Sequence, residues 1–378
     1  MAAASAFISL GLKDLGYTYI NMHDTWSTMS RDSNGNLVAD PTKFHNGIKS
    51  LADEIHGMGL KFGLYGNSGT KTCSGYPGSQ GYETQDAQQL TTWGVDYWKY
   101  DNCNTPSRNS QPRYTVMRDA LPLTNSKILY SLCNWGADSV WTRGSQVGNS
   151  WRVGGDITDA WSSVASIAAS NTDITSYATP GSFNDYYMME ISNGGLSEAE
   201  ERAHFGLYAI CKSPIILGID PTKISSSSLN IIKNKAIIAI NQDSLSKAAS
   251  TFTPKGQPAP SSSSLYPYWA GPLSDGIVIG LIAFYGAATL TVNLADVPVL
   301  GSGGHNWTEL YSGRIGSGTG VSADLGLHDM AIFRVSTKGG LTATTIATGS
   351  TSTTTSVVST TMVTSGGSAG TGVGAVIE

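Results

Sequence analysis

Short apolar runs recur along the first two-thirds of the chain. They are YTYINM (17–22), KFGLY (61–65), VDYWKY (95–100), KILYSL (127–132), SWRVGG (150–155) and PIILGI (214–219). Between several of them the apolar period changes from two to 3.6. In PTKFHNGIKSLADEIHGMGL (41–60), Phe44, Ile48, Leu51, Ala52 and Ile55 fall on one helical face. In ITDAWSSVASIAAS (157–170), Trp161, Val164, Ile167 and Ala168 do the same. Strands alternating with helices predict a parallel α/β sheet. No glycine-rich phosphate loop follows any strand, which favours a (β/α)8 TIM barrel over a doubly wound sheet. The barrel is expected over 1–244. The opening MAAASAFISLGL lacks a basic n-region and runs on into KDLGY, so it reads as a helix of the fold rather than a leader.

From residue 245 the texture changes. SLYPYWAGPLSDGIVIGLIAF, ATLTVNLADV, NWTELYSG and DMAIFRVS are short strands parted by Gly, Pro and Ser turns. They predict a C-terminal antiparallel β-sandwich over 245–338. The remainder, 339–378, is a Ser/Thr/Gly tract that cannot bury a core, and a disordered tail or linker is expected there.

Charge and composition narrow the function classes. A net charge of −5 argues against an electrostatic nucleic-acid binder. No run of eighteen apolar residues occurs, so no helical membrane span is expected. Only 13% of residues are charged, whereas Tyr (17) and Trp (9) are plentiful, which suits a secreted protein that stacks sugars. Cys73, Cys103, Cys133 and Cys211 allow at most two bridges and have no zinc-ligand spacing. Asn306-Trp307-Thr308 is a glycosylation sequon, relevant in a secretory compartment.

Candidate chemistry sits at the strand ends. Five apparent strands close on a carboxylate: Asp24, Asp101, Asp156, Asp185 and Asp220. In a parallel barrel these ends share one face, where active sites lie. One such Asp alone is an ordinary cap or turn residue. A cluster either binds a hard metal or forms an acid and nucleophile pair on a glycosidic bond. The nearby Trp98, Trp135, Trp151, Tyr65 and Tyr100 favour the sugar reading, since aromatic faces stack on sugar C–H groups.

KFGLYGNSGTKTCSGYPGSQGYETQDAQQLTTWGVDYWKYDNC resembles the signature of family 27 glycoside hydrolases, the α-galactosidase (melibiase) family. GNSWRVGGDITDAW, FNDYYMMEISNGGLSEAEERAHFGLYAICKSPIILGID and GPLSDG follow in matching order, and the resemblance spans about 5–335. It implies a (β/α)8 barrel with an antiparallel β-domain. It also implies a secreted, fungal-type retaining exo-glycosidase that uses two aspartates, without metal or cofactor. The Asp of KYDNC, Asp101, is then the nucleophile, and the Asp of WRVGGD, Asp156, the acid/base. Lys99, two residues before Asp101, points to the same side of its strand and can support both that charge and a sugar hydroxyl. Arg152 matches a contact to the 2-hydroxyl. Asp24, Tyr65 and Asp185 match the sugar shell, His23 and Asn134 occupy shell positions, and Trp135 is a stacking wall. Cys73 and Cys103 match a family disulfide. Cys133 keeps a family position without its usual partner, and Cys211 reads as core. The implied partners are galactose-containing oligosaccharides or polysaccharides, with no nucleic acid and no membrane; the oligomeric state is left open.

The departures from the pattern are specific. The chain starts within the expected first barrel helix, so the family's first strand is absent, as in an N-terminally truncated member, and two open sheet edges are expected. His23-Asp24 stands where the family has two acids, Thr25 where it has Cys, and Asn134 where it has Glu. FNDYYM replaces WNDPDM, putting Tyr187 in the place of a carboxylate. The bulk of His23 makes β-L-arabinopyranoside, which lacks galactose's exocyclic hydroxymethyl group, an alternative substrate. A non-catalytic sugar binder or inactive fragment is the other alternative.

Overall fold

Alternation of strand and helix holds through the first 241 residues. The computed structural model describes residues 1–105, 109–125, 127–258, 265–336 and 373–377. Helix α1 (Ala2–Ser9) leads into β1 (Tyr17–Met22), α2 (Gly47–Gly57), β2 (Lys61–Asn67), α3 (Glu83–Trp93), β3 (Tyr97–Asp101) and α4 (Gln111–Ala120). There follow β4 (Leu129–Cys133), β5 (Ser150–Arg152), α5 (Trp161–Ser170), β6 (Phe183–Asp185), α6 (Glu198–Ile210), β7 (Ile215–Leu217), α7 (Ser226–Ile232) and α8 (Lys235–Asn241). The predicted faces are the buried ones: Ile48, Ala52 and Ile55 of α2, and Val164, Ile167 and Ala168 of α5. Only 3-10 turns join β4 to β5, because Gly136, Asp138 and Ser139 all take positive φ and stop an α-helix from growing.

Three antiparallel strands precede the central hairpins of the second sheet set: β8 (Ser250–Thr251), β9 (Tyr268–Leu273) and β10 (Gly276–Ile282). Then come β11 (Ala288–Asn293), β12 (His305–Glu309), β13 (Ile315–Gly318), β14 (Gly320–Leu325) and β15 (Met330–Ser336), and last β16 (Val373–Ile377).

The parallel sheet is TIM-barrel-like, with eight strands in the order β6-β5-β4-β3-β2-β1-β16-β7. Two sequence expectations change here. The tail was expected to be structureless, yet Val373–Ile377 is a parallel strand; the rest of it, 339–372 and 378, lies outside the described residues. An open edge was expected beside β1, yet β16 pairs there, Met22 opposite Ile377, and pairs β7 on its other side, Leu217 opposite Ala375. A bare parallel edge presents a row of unpaired N–H and C=O groups, and an extended segment of the same chain satisfies them. The outer strands β6 and β7 are linked through Met189, whose N–H donates to Ile216 O at 2.7 Å and whose carbonyl accepts from Gly218 N at 3.0 Å.

The second domain is an antiparallel sandwich of a six-stranded sheet, β13-β12-β15-β10-β9-β8, and the pair β11-β14. Its sequon residue Asn306 lies half-buried in β12, opposite Ser317 of β13. Strand β10, GIVIGLI, is buried throughout because it has no solvent side. Ile277, Ile279 and Leu281 enter the sandwich core, while Val278 and Ile282 enter the barrel core. Strand β15 divides likewise, with Ala331, Phe333 and Val335 on one side and Met330 and Ile332 on the other. Against this wall lies α6, started by a capping box between Ser197 and Glu200. Its Gly206 leaves room for Met330 and Ile332, which a Cβ would meet at 2.6 and 2.8 Å. Arg202 on α6 is fixed by Asp329 through bonds of 3.0 and 2.9 Å.

A shared wall makes the two domains unfold together. Ile332→Ala removes a side chain with no exposed surface and is expected to cost about 2–5 kcal/mol. Scanning calorimetry should give one transition at lower temperature. A barrel transition that stays in place while a separate sandwich transition falls would show that the wall is not shared.

Candidate active site

Parallel pairing sets the site's geometry before any side chain is considered. In the β2–β3 register Asn67 lies opposite Asp101, in β3–β4 Asp101 lies opposite Cys133, and in β5–β6 Arg152 lies opposite Asp185. The strand ends therefore bring these groups to one rim. Within β3, Lys99 and Asp101 share a side, while Trp98 and Tyr100 face the helices, where Tyr100 meets Tyr114 and Tyr130 at 5.5 and 5.8 Å. This corrects the sequence reading of the aromatic residues. Trp98, Tyr100 and Trp151 belong to the core and cannot stack a ligand. Tyr65 lies on Asp101, and Trp135, in the loop after β4, is 40% exposed on a left-handed backbone.

Asp101 is buried, 5% exposed. Its Oδ2 accepts the Tyr65 hydroxyl at 2.7 Å, and its Oδ1 accepts the Asn102 N–H at 2.8 Å. Burial, then the adjoining Asp101 charge, pushes the Tyr65 phenol up, so Tyr65 stays a donor. The bridge Cys73–Cys103 packs beside it, with Cys73 Sγ 3.3 Å from Asp101 Oδ2. Asn67, which the sequence reading passed over, ties this loop down. Its Nδ2 donates to Lys71 O and Cys103 O at 2.7 Å each, and its Oδ1 accepts Cys103 N–H at 2.8 Å. The available signal was a polar residue ending the β2 run one strand away from KYD. Asp24 joins β1 to the same loop by accepting the N–H groups of Thr25 at 2.7 Å and Ser74 at 3.0 Å.

Asp156 contrasts with Asp101, since its side chain is 69% exposed on the loop after β5. Its Oδ1 lies 3.2 Å from Arg152 Nη2. Arg152 itself is buried, and the same Nη2 reaches Gly154 O at 3.1 Å and Gly155 O at 2.5 Å. Asp185 is buried and accepts the Tyr187 N–H at 2.8 Å; burial pushes its carboxyl up, opposed by Arg152 and Lys99. Tyr187, at φ 84°, lays its ring against two cations, 3.5 Å from the Arg152 guanidinium and 4.7 Å from the Lys99 ammonium. The sequence marked Tyr187 only as a replaced carboxylate. Its contact with both cations needed the fold.

His23 accepts no proton at ordinary pH. Burial first, then Lys99 and Arg152, hold its pKa down at about 3. Its Nε2 lies 2.8 Å from Lys99 Nζ, and its ring is 4.6 Å from that of Tyr65. Two candidates stand apart from this group. Asn134 is buried and donates to Ser110 Oγ and Ala137 O at 3.1 Å each, so its amide nitrogen holds the loop after β4 rather than facing a ligand. Asp220 is exposed and pairs with Lys223 at 2.9 Å as an ordinary turn residue.

Cys133 is a buried free thiol pushed up to about 12 by burial, and Cys211 is likewise free and buried. Cys73, Asp101 and Cys103 are the one grouping of potential metal donors among the described residues. Both sulfurs are consumed by the disulfide, so the set does not fit a metal. What remains is a buried carboxylate held by neutral donors, a second carboxylate on a guanidinium, and a lysine between them and a wall of rings. Such a site can run nucleophile and acid/base chemistry on a polyhydroxylated ligand.

Comparison with known proteins agrees with both domains. Residues 1–243 match the family model described as alpha galactosidase A, and residues 264–335 match the alpha galactosidase C-terminal beta sandwich domain. The α-galactosidase of Oryza sativa subsp. japonica is 40% identical over 335 residues, 87% of this chain and 78% of the rice protein. The crystal structure of α-galactosidase I from Mortierella vinacea superposes with a TM-score of 0.83 at 36% identity, covering 88% of this chain and 91% of that one. The Saccharomyces cerevisiae α-galactosidase structure with raffinose gives a TM-score of 0.80 at 29% identity, over 88% and 93% of the two chains.

The bridge closes a loop with a sequence separation of 30 and should contribute about 3–4 kcal/mol by restricting the unfolded chain. Alkylation in denaturant without reductant should modify two thiols, Cys133 and Cys211. Four modified thiols in protein folded under oxidising conditions would overturn the pairing.

Proposed function

The chain belongs to the α-galactosidase (melibiase) family, and from that membership and the rim geometry we propose that it removes terminal α-D-galactosyl residues with retention of configuration. The observation that carries this reading is Asp101, buried at the end of β3 and held by Tyr65, with Asp156 exposed nearby on Arg152.

Asp101 attacks the anomeric carbon as the glycosidic bond breaks, and Asp156 gives its proton to the departing oxygen. Asp156 then takes a proton from water, which attacks the glycosyl-enzyme and frees Asp101. The Tyr65 hydroxyl of β2 fixes the attacking carboxylate through its bond to Oδ2. Lys99 and Asp24 hold sugar hydroxyls, and Trp135 supplies an outer stacking face. The eight-stranded sheet acts as a (β/α)8 barrel, with seven strands from 1–244 and β16 as the eighth, and 245–338 is its buttress. Galactosides of the raffinose type are the substrate class. The protein is exported, which the Cys73–Cys103 bridge supports because such bonds persist in oxidising compartments.

Release of p-nitrophenol from p-nitrophenyl α-D-galactoside tests the reading. Asp101→Ala and Asp156→Ala should each lower turnover by at least about a thousandfold. Azide should separate their roles, yielding the β-galactosyl azide with Asp101→Ala and the α-azide with Asp156→Ala. Near-full activity of Asp101→Ala would sink the mechanism.

A further inference from the structure

The peptide group between Asp101 and Asn102 is held at both of its polar ends. Its carbonyl accepts the Ser68 N–H at 2.9 Å, and its N–H donates to Asp101 Oδ1 at 2.8 Å. A peptide group is planar, so the two bonds turn together. If the plane tilts, the carboxylate loses its donor at Oδ1 and keeps Tyr65 at Oδ2. Whatever fixes this plane therefore fixes the angle at which Asp101 meets a reacting carbon.

One side chain spans that plane. Arg113, in the first turn of α4, donates from Nη2 to Asn102 Oδ1 at 2.6 Å and from Nε to Ser68 Oγ at 3.3 Å. Ser68 and Asn102 are the two residues whose N–H groups hold Asp101, one at its carbonyl and one at its carboxylate. A further arm, Nη1, donates to Asn109 O at 2.6 Å and anchors the guanidinium just ahead of α4. Ser68 is fully buried, and the loops after β2 and β3 lie backbone on backbone, since a Cβ on Gly69 would meet Cys103 O at 2.2 Å. Three acceptors in different directions call for a planar fork of N–H groups, which a lysine ammonium does not supply.

We propose that Arg113 is a positioning residue for the nucleophile: through Ser68 and Asn102 it holds the Asp101–Asn102 peptide group, and with it the Asp101 carboxylate, in the attacking orientation. This rests on the glycosidase reading, in which Asp101 attacks the anomeric carbon. Lys99 and Asp24, which hold the sugar hydroxyls in that reading, are placed by β3 and by the end of β1 without Arg113. Its loss therefore slows attack and leaves sugar binding in place.

Arg113→Ala in the full chain tests it by separating rate from binding. Its kcat on p-nitrophenyl α-D-galactoside should fall about 10- to 100-fold, the cost of a misplaced reacting group. The Kd for D-galactose, from titration calorimetry, should stay within about threefold of the unchanged protein, a shift of less than about 0.7 kcal/mol. Arg113→Lys, which keeps the charge but not the fork, should fall between the two, and it carries the same comparison if the alanine variant does not fold. Asn102→Ala should also lower kcat, and adding Arg113→Ala to it should cost little more, because both changes break one linkage. A kcat kept by Arg113→Ala with only a lower Tm would show a structural role and overturn the inference. Losses that multiply in the double variant, or galactose binding that falls in step with kcat, would overturn it as well. In each of these cases an inactive Asp101→Ala leaves the glycosidase reading standing, whereas an active Asp101→Ala would overturn both.

Discussion

Side-by-side alignment of β2, β3 and β4 puts Asn67, Asp101 and Cys133 at one level, and every other feature of the rim is fitted to it. Because the pairing is parallel, all three chains turn into loops on the same face. The loop after β2 must then pass over the end of β3, where Cys73 bridges to Cys103. Asn67 satisfies three backbone groups in that crossing, the carbonyls of Lys71 and Cys103 and the Cys103 N–H. Asp101 is left with Tyr65 and one backbone N–H as donors. A slip of β3 by one residue would turn Lys99 and Asp101 away and put Trp98 and Tyr100 on the pocket side.

Support for this rim comes from below and from the side. The β10–β15 wall feeds alternate side chains into two cores, so neither domain has an apolar face of its own there to spare. Helix α6 lies between them, and its small Gly206 permits close approach of Met330 and Ile332. The site and the sandwich are thereby connected through packed side chains, with Tyr186 and Tyr208 in contact at 5.6 Å next to Tyr187.

Electrostatics at the rim follow from how the pocket distributes donors. Asp101 and Asp185 are buried but each is donated to by neutral groups, so neither depends on Lys99 for its place. The lysine and Arg152 both lie close to the Tyr187 ring, and Arg152 also pairs with Asp156. A ring attracts a cation far less than a carboxylate does, and it cannot take a proton from it. The pocket thus keeps two positive groups close together at one ring.

Much of this was written in the order of residues along the chain. Apolar runs with period two, helical faces with period 3.6 and an aspartate at the end of several runs are local properties, so the parallel sheet, the strand-end carboxylates and the sandwich were legible from sequence. The pairing of Lys99 with Asp101 on one side of β3 was legible too, since two residues apart in a strand means the same side. Other features depended on which elements meet. Trp98, Tyr100 and Trp151 are the same residue types as Tyr65 and Trp135; Tyr65 is as buried as they are and differs by the side of the sheet it takes, level with Lys99, while Trp135 differs by its exposure. Asn134 follows a catalytic-looking strand but turns to Ser110, a choice made by the loop after β4. The contact of His23 with Lys99, 76 positions apart, the contact of Tyr187 with Lys99 and Arg152, and the pairing of Val373–Ile377 beside β1 all join segments distant in the chain. Periodicity carries no information about such encounters, because they are set by sheet order and register rather than by the preferences of neighbouring residues.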